Sequence, residues 1–156
     1  MTPAMSSDRK QLTIRAAEES DAESIAQLAC TLGYAATAEA IGSRLCAVRG
    51  SANDLTLVAL NDAGGVIGWI QAHASHVIES GFRVEIAGLI VSTDVRRCGV
   101  GRALVSRAEE WARQLGAAAI VVRSNVQRVE SHAFYPALGY SVSKTQTVYR
   151  KPLISS

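Results

Sequence analysis

A chain of 156 residues with 48% hydrophobic residues has the size of one ordinary domain and can bury a substantial core. Its 16 basic and 14 acidic side chains leave a net charge of +2, which is too balanced to indicate a nucleic-acid-binding or membrane-surface protein. The three widely spaced cysteines show neither a CxxC nor a Cys/His pattern, so no disulfide framework and no metal site is expected. A polar N-terminus without a long apolar stretch leads us to expect a cytoplasmic protein.

The first part of the chain predicts one strand, two helices and a meander of three strands. Weak alternation indicates a strand over 11–17, and a helical pattern follows from Asp21 to Gly33, capped by Ser20 or Asp21. A second helix is predicted to begin near Thr37. Three β-type runs come next, separated by the turn sequences NDAGG and ESG, over 54–61, 66–75 and 83–92.

The remainder of the chain contains its most regular helical pattern. Apolar residues between Val100 and Leu115 recur at the spacing of one buried stripe, and Gly116 stands where a helix-ending glycine is expected. A strand, a helix and two short strands are predicted to follow, over 117–123, 129–139, 140–144 and 147–153.

The resulting element order, βααβββαβαββ, predicts an α/β (α+β) fold in a single domain. No repeat, linker or low-complexity segment interrupts the order. We therefore expect the domain to span 11–152, after a loosely ordered N-terminus over 1–10 and before a short C-terminal tail over 153–156.

The turn before the long helix has the composition of an anion site. A helix N-terminus carries unpaired N–H groups and about half a positive charge, which favours an anion there. Gly99 and Gly101 let a ligand approach the backbone, and the three nearby arginines suit the two charges of a pyrophosphate. The alternative is a surface turn with solvated arginines. The chain has no GxxxxGK[ST] phosphate loop, and Leu104 breaks the GxGxxG dinucleotide pattern.

Three motifs together resemble the GCN5-related N-acetyltransferase (GNAT) family. The run from Arg96 to Gly101, RRCGVG, matches the family signature Arg/Gln-x-x-Gly-x-Gly/Ala at the end of a strand and the start of the central helix. The opening TIRAAEESDAESIAQL is similar to the first strand and helix of the family, and SHAFYPALGY is similar to its last helix. The resemblance covers about residues 11–151, nearly the whole chain.

This resemblance implies a mixed, twisted, mostly antiparallel sheet flanked by about four helices, with acetyl-CoA as the acetyl donor and no metal. The pantetheine arm would lie along the fourth strand and the pyrophosphate on the glycine-rich loop. Backbone amides near the fourth strand's end would bind the thioester carbonyl and stabilise its developing negative charge. The cofactor-binding residues implied in this way are Leu89, Ile90, Val91, Arg96, Arg97, Cys98, Gly99, Val100, Gly101, Arg102 and Asn125.

Asn125 departs from the family pattern. Many family members carry an asparagine that contacts pantetheine seven residues before the tyrosine of the FY motif, and here Arg128 occupies that position. The nearest asparagine is displaced to Asn125, which we include among the cofactor-binding residues for that reason.

Acetyl transfer to an amine requires a base, because deprotonating a lysine-like ammonium with a pKa of about 10.4 at pH 7 costs about 4.6 kcal/mol. Glu85 interrupts the apolar run VEIAGLIV where histone-acetylating members carry their glutamate base. His73 and His76 are rival bases, and a solvated Glu85 or ordinary surface histidines are the simpler alternatives.

Tyr135 occupies the tyrosine position of the FY motif, which implies a general acid for the departing thiolate; the alternative is a core tyrosine beside Phe134.

Two functional hypotheses from different classes fit these residues. The first is an N-acetyltransferase that moves an acetyl group to a primary amine by direct transfer in a ternary complex. The second is a non-catalytic acyl-CoA sensor or interaction module, and a longer acyl donor is also compatible. In the family the acceptor binds near TLGYAATAEA and HASHVIESGFR, whose few acidic residues favour a modestly charged small-molecule or peptide amine. Dimers are common among family members, so a homodimer is a further expectation.

Overall fold

The computed structural model describes residues 12–95, 98–124 and 129–154. The ends that we expected to be loosely ordered, 1–10 and part of 153–156, lie outside the described residues at 1–11 and 155–156. The strands are β1 (Thr13–Ala16), β2 (Asp54–Leu60), β3 (Val66–Val77), β4 (Gly81–Val91) and β5 (Ala119–Val122). The helices are α1 (Ala22–Thr31), α2 (Ala38–Val48), α3 (Val100–Leu115) and α4 (Val129–Ala137). Up to α4, their order is the predicted one.

The five strands form one mixed sheet in the order β1-β2-β3-β4-β5. The first four strands pair antiparallel, whereas β4 and β5 are parallel because α3 connects them as a crossover. The predicted α/β fold class, with a mostly antiparallel sheet and four helices, is confirmed. The chain divides into two compact units, one ending at Arg123 and one beginning at Ser124, so the whole sheet belongs to the first unit.

The two strands predicted at the C-terminal end are wrong. The described residues from 140 to 154 contain no strand, and those from 141 onwards are exposed. Their largest apolar side chains include Val142, Val148, Tyr149, Leu153 and Ile154, each at least 77% exposed. Alternating β-branched and aromatic residues form a strand only where another strand satisfies their backbone groups, and local pattern cannot supply that partner.

The core of the first unit lies between the sheet and the two helices α1 and α3, both of which pack on β3 and β4. Alternate residues in the middle of β3 are buried. A Cβ at Gly68 would lie 3.2 Å from a side-chain carbon of Val100 and 3.3 Å from one of Leu104. Gly68 therefore lets α3 approach the sheet closely. The largest fully buried side chains are Ile70, Leu104, Val58, Val84 and Val105.

An ion pair connects β1 to the start of α1. Asp21 is only 5% exposed, and its two carboxylate oxygens accept hydrogen bonds of 2.7 and 2.9 Å from the guanidinium of Arg15. Asp21 is the N-cap residue of α1, as predicted, but its carboxylate makes no capping hydrogen bond to that helix and instead accepts one of 2.8 Å from the backbone N–H of Glu18. The hydrogen bonds from Arg15 hold the pKa of Asp21 below its ordinary value, although burial opposes that shift.

We expect Asp21→Asn to lower the free energy of unfolding by about 1.5–3 kcal/mol at pH 7, the cost of losing hydrogen bonds to a charged group. Because folding lowers the pKa of Asp21, its contribution is complete above the unfolded value of about 3.9 and disappears as pH falls through the folded value. Urea unfolding at several pH values should show the difference from wild type shrinking below about pH 4. Glu110→Gln is the control, since its pair with Arg113 is exposed and 3.7 Å long; equal effects of both variants would contradict the prediction.

Candidate active site

A β-bulge interrupts β4 in the middle of the predicted cofactor strand. Gln71 of β3 lies opposite Gly88 whereas Ala72 lies opposite Ile86, so Ala87 is an additional residue without a partner on β3. Ala87 is exposed. Such a bulge increases the local twist of a strand and changes the direction of the residues that follow it, and bulges are common beside functional sites.

Beyond the bulge, β4 has a strand neighbour on one side only. Its parallel pairing with β5 extends from Arg83 to Ile86, and β5 ends at Val122. Leu89, Ile90 and Val91 still pair with β3, but no strand among the described residues pairs with their other edge. A strand edge presents a row of N–H and C=O groups, so this stretch can bind an extended ligand through its backbone.

The glycine-rich turn brings the chain from this edge directly into α3. A short 3-10 turn over Thr93–Val95 follows β4, and the backbone N–H of Cys98 donates to the carbonyl of Val95 at 3.2 Å. Gly99 then adopts a left-handed φ of +81°, and its carbonyl accepts from the N–H of Ala103 at 3.0 Å. A Cβ at Gly99 would meet no atom within 4 Å, so the backbone conformation rather than space favours glycine there.

The first turn of α3 can bind an anion, because the leading N–H groups of a helix have no intrahelical partner. Val100 is buried, Gly101 is half-buried, and Cys98 and Arg102 are exposed. Arg96 and Arg97, which were predicted to contact a pyrophosphate, lie outside the described residues, as does Asn125.

Three ionisable side chains share one row and one face of the sheet. Asp54 of β2 lies opposite His73 of β3, which lies opposite Glu85 of β4, and Val121 continues the row on β5. Directly opposed residues have Cβ atoms about 5 Å apart. The Nδ1 of His73 lies 3.0 Å from Oδ1 of Asp54. The two residues proposed as alternative bases, Glu85 and His73, are therefore neighbours.

Glu85 also forms an ion pair with an arginine that follows β5. Its Oε1 lies 3.3 Å from Nε of Arg123, with side-chain exposures of 28% for Glu85 and 60% for Arg123. The guanidinium is the more exposed partner of this pair, so an arriving ammonium group can replace it at Glu85 and restore the same charge balance.

His76, the other rival base, is outside this row. It lies three residues after His73 on a regular stretch of β3, so the two histidines are on opposite faces of the sheet. Its ring stacks on that of Phe82, with centroids 4.6 Å apart. This contact is that of a packing residue.

Tyr135 lies in the second unit, on α4. It is half-buried and makes edge contacts with the rings of Phe134 and Tyr140, at centroid distances of 5.0 and 5.6 Å. The backbone carbonyl of Tyr135 accepts from the N–H groups of Leu138 and Tyr140, at 3.0 and 3.1 Å, at the end of the helix.

Sequence reasoning did not identify Asp54, Arg123 or Trp69 as parts of this site. Asp54 and Arg123 contact His73 and Glu85 across strands, which no local pattern reveals. Trp69 lies opposite Ile90, and its ring covers Gly88 so closely that a Cβ there would lie 2.9 and 3.0 Å from two ring carbons. The indole Nε1 is buried and has no hydrogen-bond partner among the residues that the structure describes. The glycine of the run AGLIV was the one available signal, because strand glycines often mark a close approach.

A cavity of about 450 Å³ adjoins the polar row at Asp54. The turn after β1, the end of α2 and the start of β2 line it. Its charged lining residues are Glu18, Glu19, Asp54 and Arg49, with Nη1 of Arg49 lying 3.7 Å from Oε1 of Glu19, and its apolar lining residues include Leu45 and Val48. Because the carboxylates outnumber the guanidinium, the cavity favours a cationic over an anionic organic group.

A model of the acetyltransferase (GNAT) family matches residues 16–140, from the last residue of β1 to the third residue after α4. The chain belongs to the acetyltransferase (GNAT) family. It is 28% identical over 145 residues to an aminoglycoside N(6')-acetyltransferase type 1 of Stenotrophomonas maltophilia, a match that covers 90% of this chain and 94% of that relative.

Solved structures have the same GNAT fold. The aminoglycoside 6'-N-acetyltransferase AAC(6')-Ih from Acinetobacter baumannii superimposes with a TM-score of 0.78 at 23% identity, covering 93% of this chain and all of that one. AAC(6')-Iy, solved with the bisubstrate analogue CoA-S-monomethyl-acetylneamine, gives a TM-score of 0.79 at 20% identity and covers 91% of this chain and 99% of that one.

Within the part of the GNAT chain that the structure describes, no group of three or more His, Cys, Asp or Glu side chains could hold a metal ion. The same residues contain no helix that is both long and apolar enough to cross a membrane.

We expect Gly88→Ala to lower the free energy of unfolding by about 1–3 kcal/mol, because the added methyl group forces the Trp69 ring to move within a packed site. Gly42→Ala is the matched control. It lies in α2, where a Cβ would make an ordinary 3.6 Å contact, and should raise stability by about 0.5–1 kcal/mol. Urea unfolding and near-ultraviolet circular dichroism would measure both, and a stabilising Gly88→Ala would show that the contact is unimportant.

Proposed function

We propose that this GNAT chain transfers an acetyl group from acetyl-CoA to a primary amine, by direct transfer in a ternary complex. One observation carries the proposal: the bulged, one-sided end of β4 leads directly into the glycine-started N-terminus of α3. The first feature suits an extended amide-containing arm, and the second suits a pyrophosphate. Acetyl-CoA has both groups. We assign the activity to a domain over 11–152.

For the donor, we propose backbone contacts from Leu89, Ile90 and Val91 to the pantetheine amides and the thioester carbonyl. An N–H donor aimed at that carbonyl would stabilise the negative charge that develops on its oxygen as the amine attacks. We assign the pyrophosphate to the loop from Arg96 to Gly101 and the added positive charge to Arg102. The bisubstrate analogue bound to AAC(6')-Iy supports coenzyme A as the donor's carrier in a protein of this fold.

For the acceptor, we propose Glu85 as the base. Its half-buried side chain lies on β4 two residues before the bulge and four residues before the proposed donor-binding stretch at Leu89. The ammonium group would replace Arg123 at Glu85, lose a proton to the carboxylate, and attack the thioester as a neutral amine. Tyr135 is our proposed acid, since a phenol can donate a hydrogen bond to the thiolate that leaves.

A cationic small molecule is our preferred acceptor class. The cavity beside Asp54 is lined by Glu18 and Glu19 as well; Arg49 pairs with Glu19, which leaves Glu18 and Asp54 to favour a second positive charge on the acceptor. The name of the Stenotrophomonas maltophilia relative, an aminoglycoside N(6')-acetyltransferase, supports the same class. This proposal moves away from the modestly charged amine expected from the sequence, because these carboxylates lie outside the two stretches considered there.

The second candidate remains a non-catalytic acyl-CoA-binding module. A chain with the donor site but no turnover would bind acetyl-CoA and leave every amine unmodified. The row of Asp54, His73 and Glu85 favours the enzyme, because a sensor needs no base beside its ligand.

Gly101→Glu should weaken acetyl-CoA binding by at least tenfold, because it adds a carboxylate and its bulk at the proposed pyrophosphate site, about 1.4 kcal/mol or more. Ser106→Glu is the control, since it adds the same charge to an exposed position of α3 beyond its first turn. Calorimetry with circular dichroism on each variant would test this. A wild type that does not bind acetyl-CoA would overturn both the enzyme and the sensor.

Glu85→Gln should lower kcat by about 10²- to 10⁴-fold for the best amine of a screen of aminoglycosides and diamines, while acetyl-CoA binding is retained. Tyr135→Phe should also lower kcat. Coenzyme A release measured with a thiol reagent gives the rates, and Glu110→Gln, at an exposed position of α3, is the control. Unchanged kcat in both Glu85→Gln and Tyr135→Phe would refute the proposed acid–base pair.

A further inference from the structure

The Asp54–His73 pair adjoins the proposed base and has no role in the mechanism given so far. We propose that His73, oriented by Asp54, receives the proton that Glu85 takes from the acceptor amine and releases it to solvent. This inference rests on the proposed function. It makes His73 the second proton carrier and Asp54 a positioning residue.

The contact between the two side chains determines which nitrogen of His73 accepts a proton. An ionised carboxylate can only accept hydrogen bonds, so the Nδ1 that lies 3.0 Å from Asp54 carries the hydrogen in neutral His73. The other nitrogen, Nε2, then carries the lone pair. Because Asp54 accepts from Nδ1 whether or not Nε2 is protonated, the ring can keep its orientation while it gains and loses a proton.

The register brings this imidazole to Glu85. His73 and Glu85 are directly opposed on β3 and β4, so their side chains leave the sheet on the same face, with Cβ atoms about 5 Å apart. This distance lets the two side chains meet directly or through one water. The charged groups facing His73 are Asp54 from β2 and Glu85 from β4, with Arg123 beyond Glu85.

Exposure increases along the direction that the proton must take. The side chain of Glu85 is 28% exposed and that of His73 is 50% exposed, whereas Asp54, the orienting group, is only 16% exposed. A half-buried base that must release a proton after every turnover benefits from a neighbour that is more exposed to solvent. The largely buried carboxylate of Asp54 orients the ring of His73, and the ring itself is accessible to solvent.

Acetylation removes two protons from the ammonium nitrogen: the one lost as the amide forms replaces the proton that Tyr135 gives to the coenzyme A thiolate, and the one lost first leaves through Glu85. The N–H bond of the ammonium breaks as an O–H bond forms on Glu85, which leaves a neutral amine to attack the thioester. The O–H bond on Glu85 then breaks as an N–H bond forms on Nε2 of His73, and His73 gives this proton to water or buffer. Glu85 is again ionised and His73 neutral for the next turnover.

His73→Ala should lower kcat by about tenfold or more, less than the 10²- to 10⁴-fold typical of removing a base, with little change in the KM for acetyl-CoA. Millimolar imidazole should restore much of the lost kcat, because the vacated position is half-exposed. The same imidazole should not restore Glu85→Gln. His76→Ala, on the opposite face of β3, is the matched control and should keep wild-type kcat.

Three outcomes would overturn the proposed proton relay from Glu85 to His73. They are wild-type kcat in His73→Ala, equal losses of kcat in His73→Ala and His76→Ala, or no recovery of kcat with imidazole. Should His73→Ala fail to fold by circular dichroism, His73→Gln provides the same comparison, with its kcat set against that of His76→Gln. A merely structural histidine would not respond to imidazole in solution.

The role of Asp54 is tested by the tautomer of His73. Nitrogen-15 spectra of the neutral ring should show the hydrogen on Nδ1 in wild type, and a shift toward Nε2 in Asp54→Asn, whose amide can donate to Nδ1. A wild-type ring with its hydrogen on Nε2 would contradict the proposal. If wild type acetylates no amine, the proposed function fails first and the relay with it; an active wild type with a fully active His73→Ala removes the relay alone.

Discussion

The candidate site depends on one constraint: β4 has a strand on both sides for only part of its length. A backbone N–H or C=O group that loses its strand partner must meet water, a side chain or a ligand. Pairing with β5 ends at Ile86, and the bulge at Ala87 redirects the strand at the same point. The free edge of β4 after the bulge is consequently a surface for an extended ligand, while β3 pairs with its other edge.

The position of α3 depends on the same strand. Gly68 lets Val100 and Leu104 approach the sheet, which anchors the first turns of the helix against β3 and β4. Gly99, in its left-handed conformation, then turns the chain from the end of β4 into that helix within a few residues. The exposed strand edge and the helix N-terminus are therefore close along the chain, and one ligand with an amide arm and a diphosphate can use both.

The alternation of β4 separates buried apolar side chains from the polar row. On β4, Val84 and Ile86 are buried and Glu85 between them lies on the opposite face. What looked in the sequence like a carboxylate inside an apolar run is one member of a polar row with Asp54 and His73. The alternation of β3 separates its two histidines in the same way, so that His73 joins the row and His76 stacks on Phe82.

Much of this could be predicted, and the failures have a common cause. Helices with strong periodicity, such as α3 with its ending at Gly116, and strands bounded by turn sequences lie where the pattern indicated. The two C-terminal strands were wrong because their residues alternate but lack a pairing partner. Asp54, Arg123 and the fit of Trp69 over Gly88 were not found, because each depends on which residue of another strand lies opposite.

The sequence by itself therefore determined the element order, the long helix with its glycine-rich start, and the family, since these depend on residues close together in the chain. Only the tertiary structure decided the register of the strands, the length over which β4 and β5 pair, and the row that brings Glu85 beside His73. The physical reason is the range of the interactions. Helical periodicity and turn propensity act over a few residues, whereas register is set by packing between segments far apart in the chain.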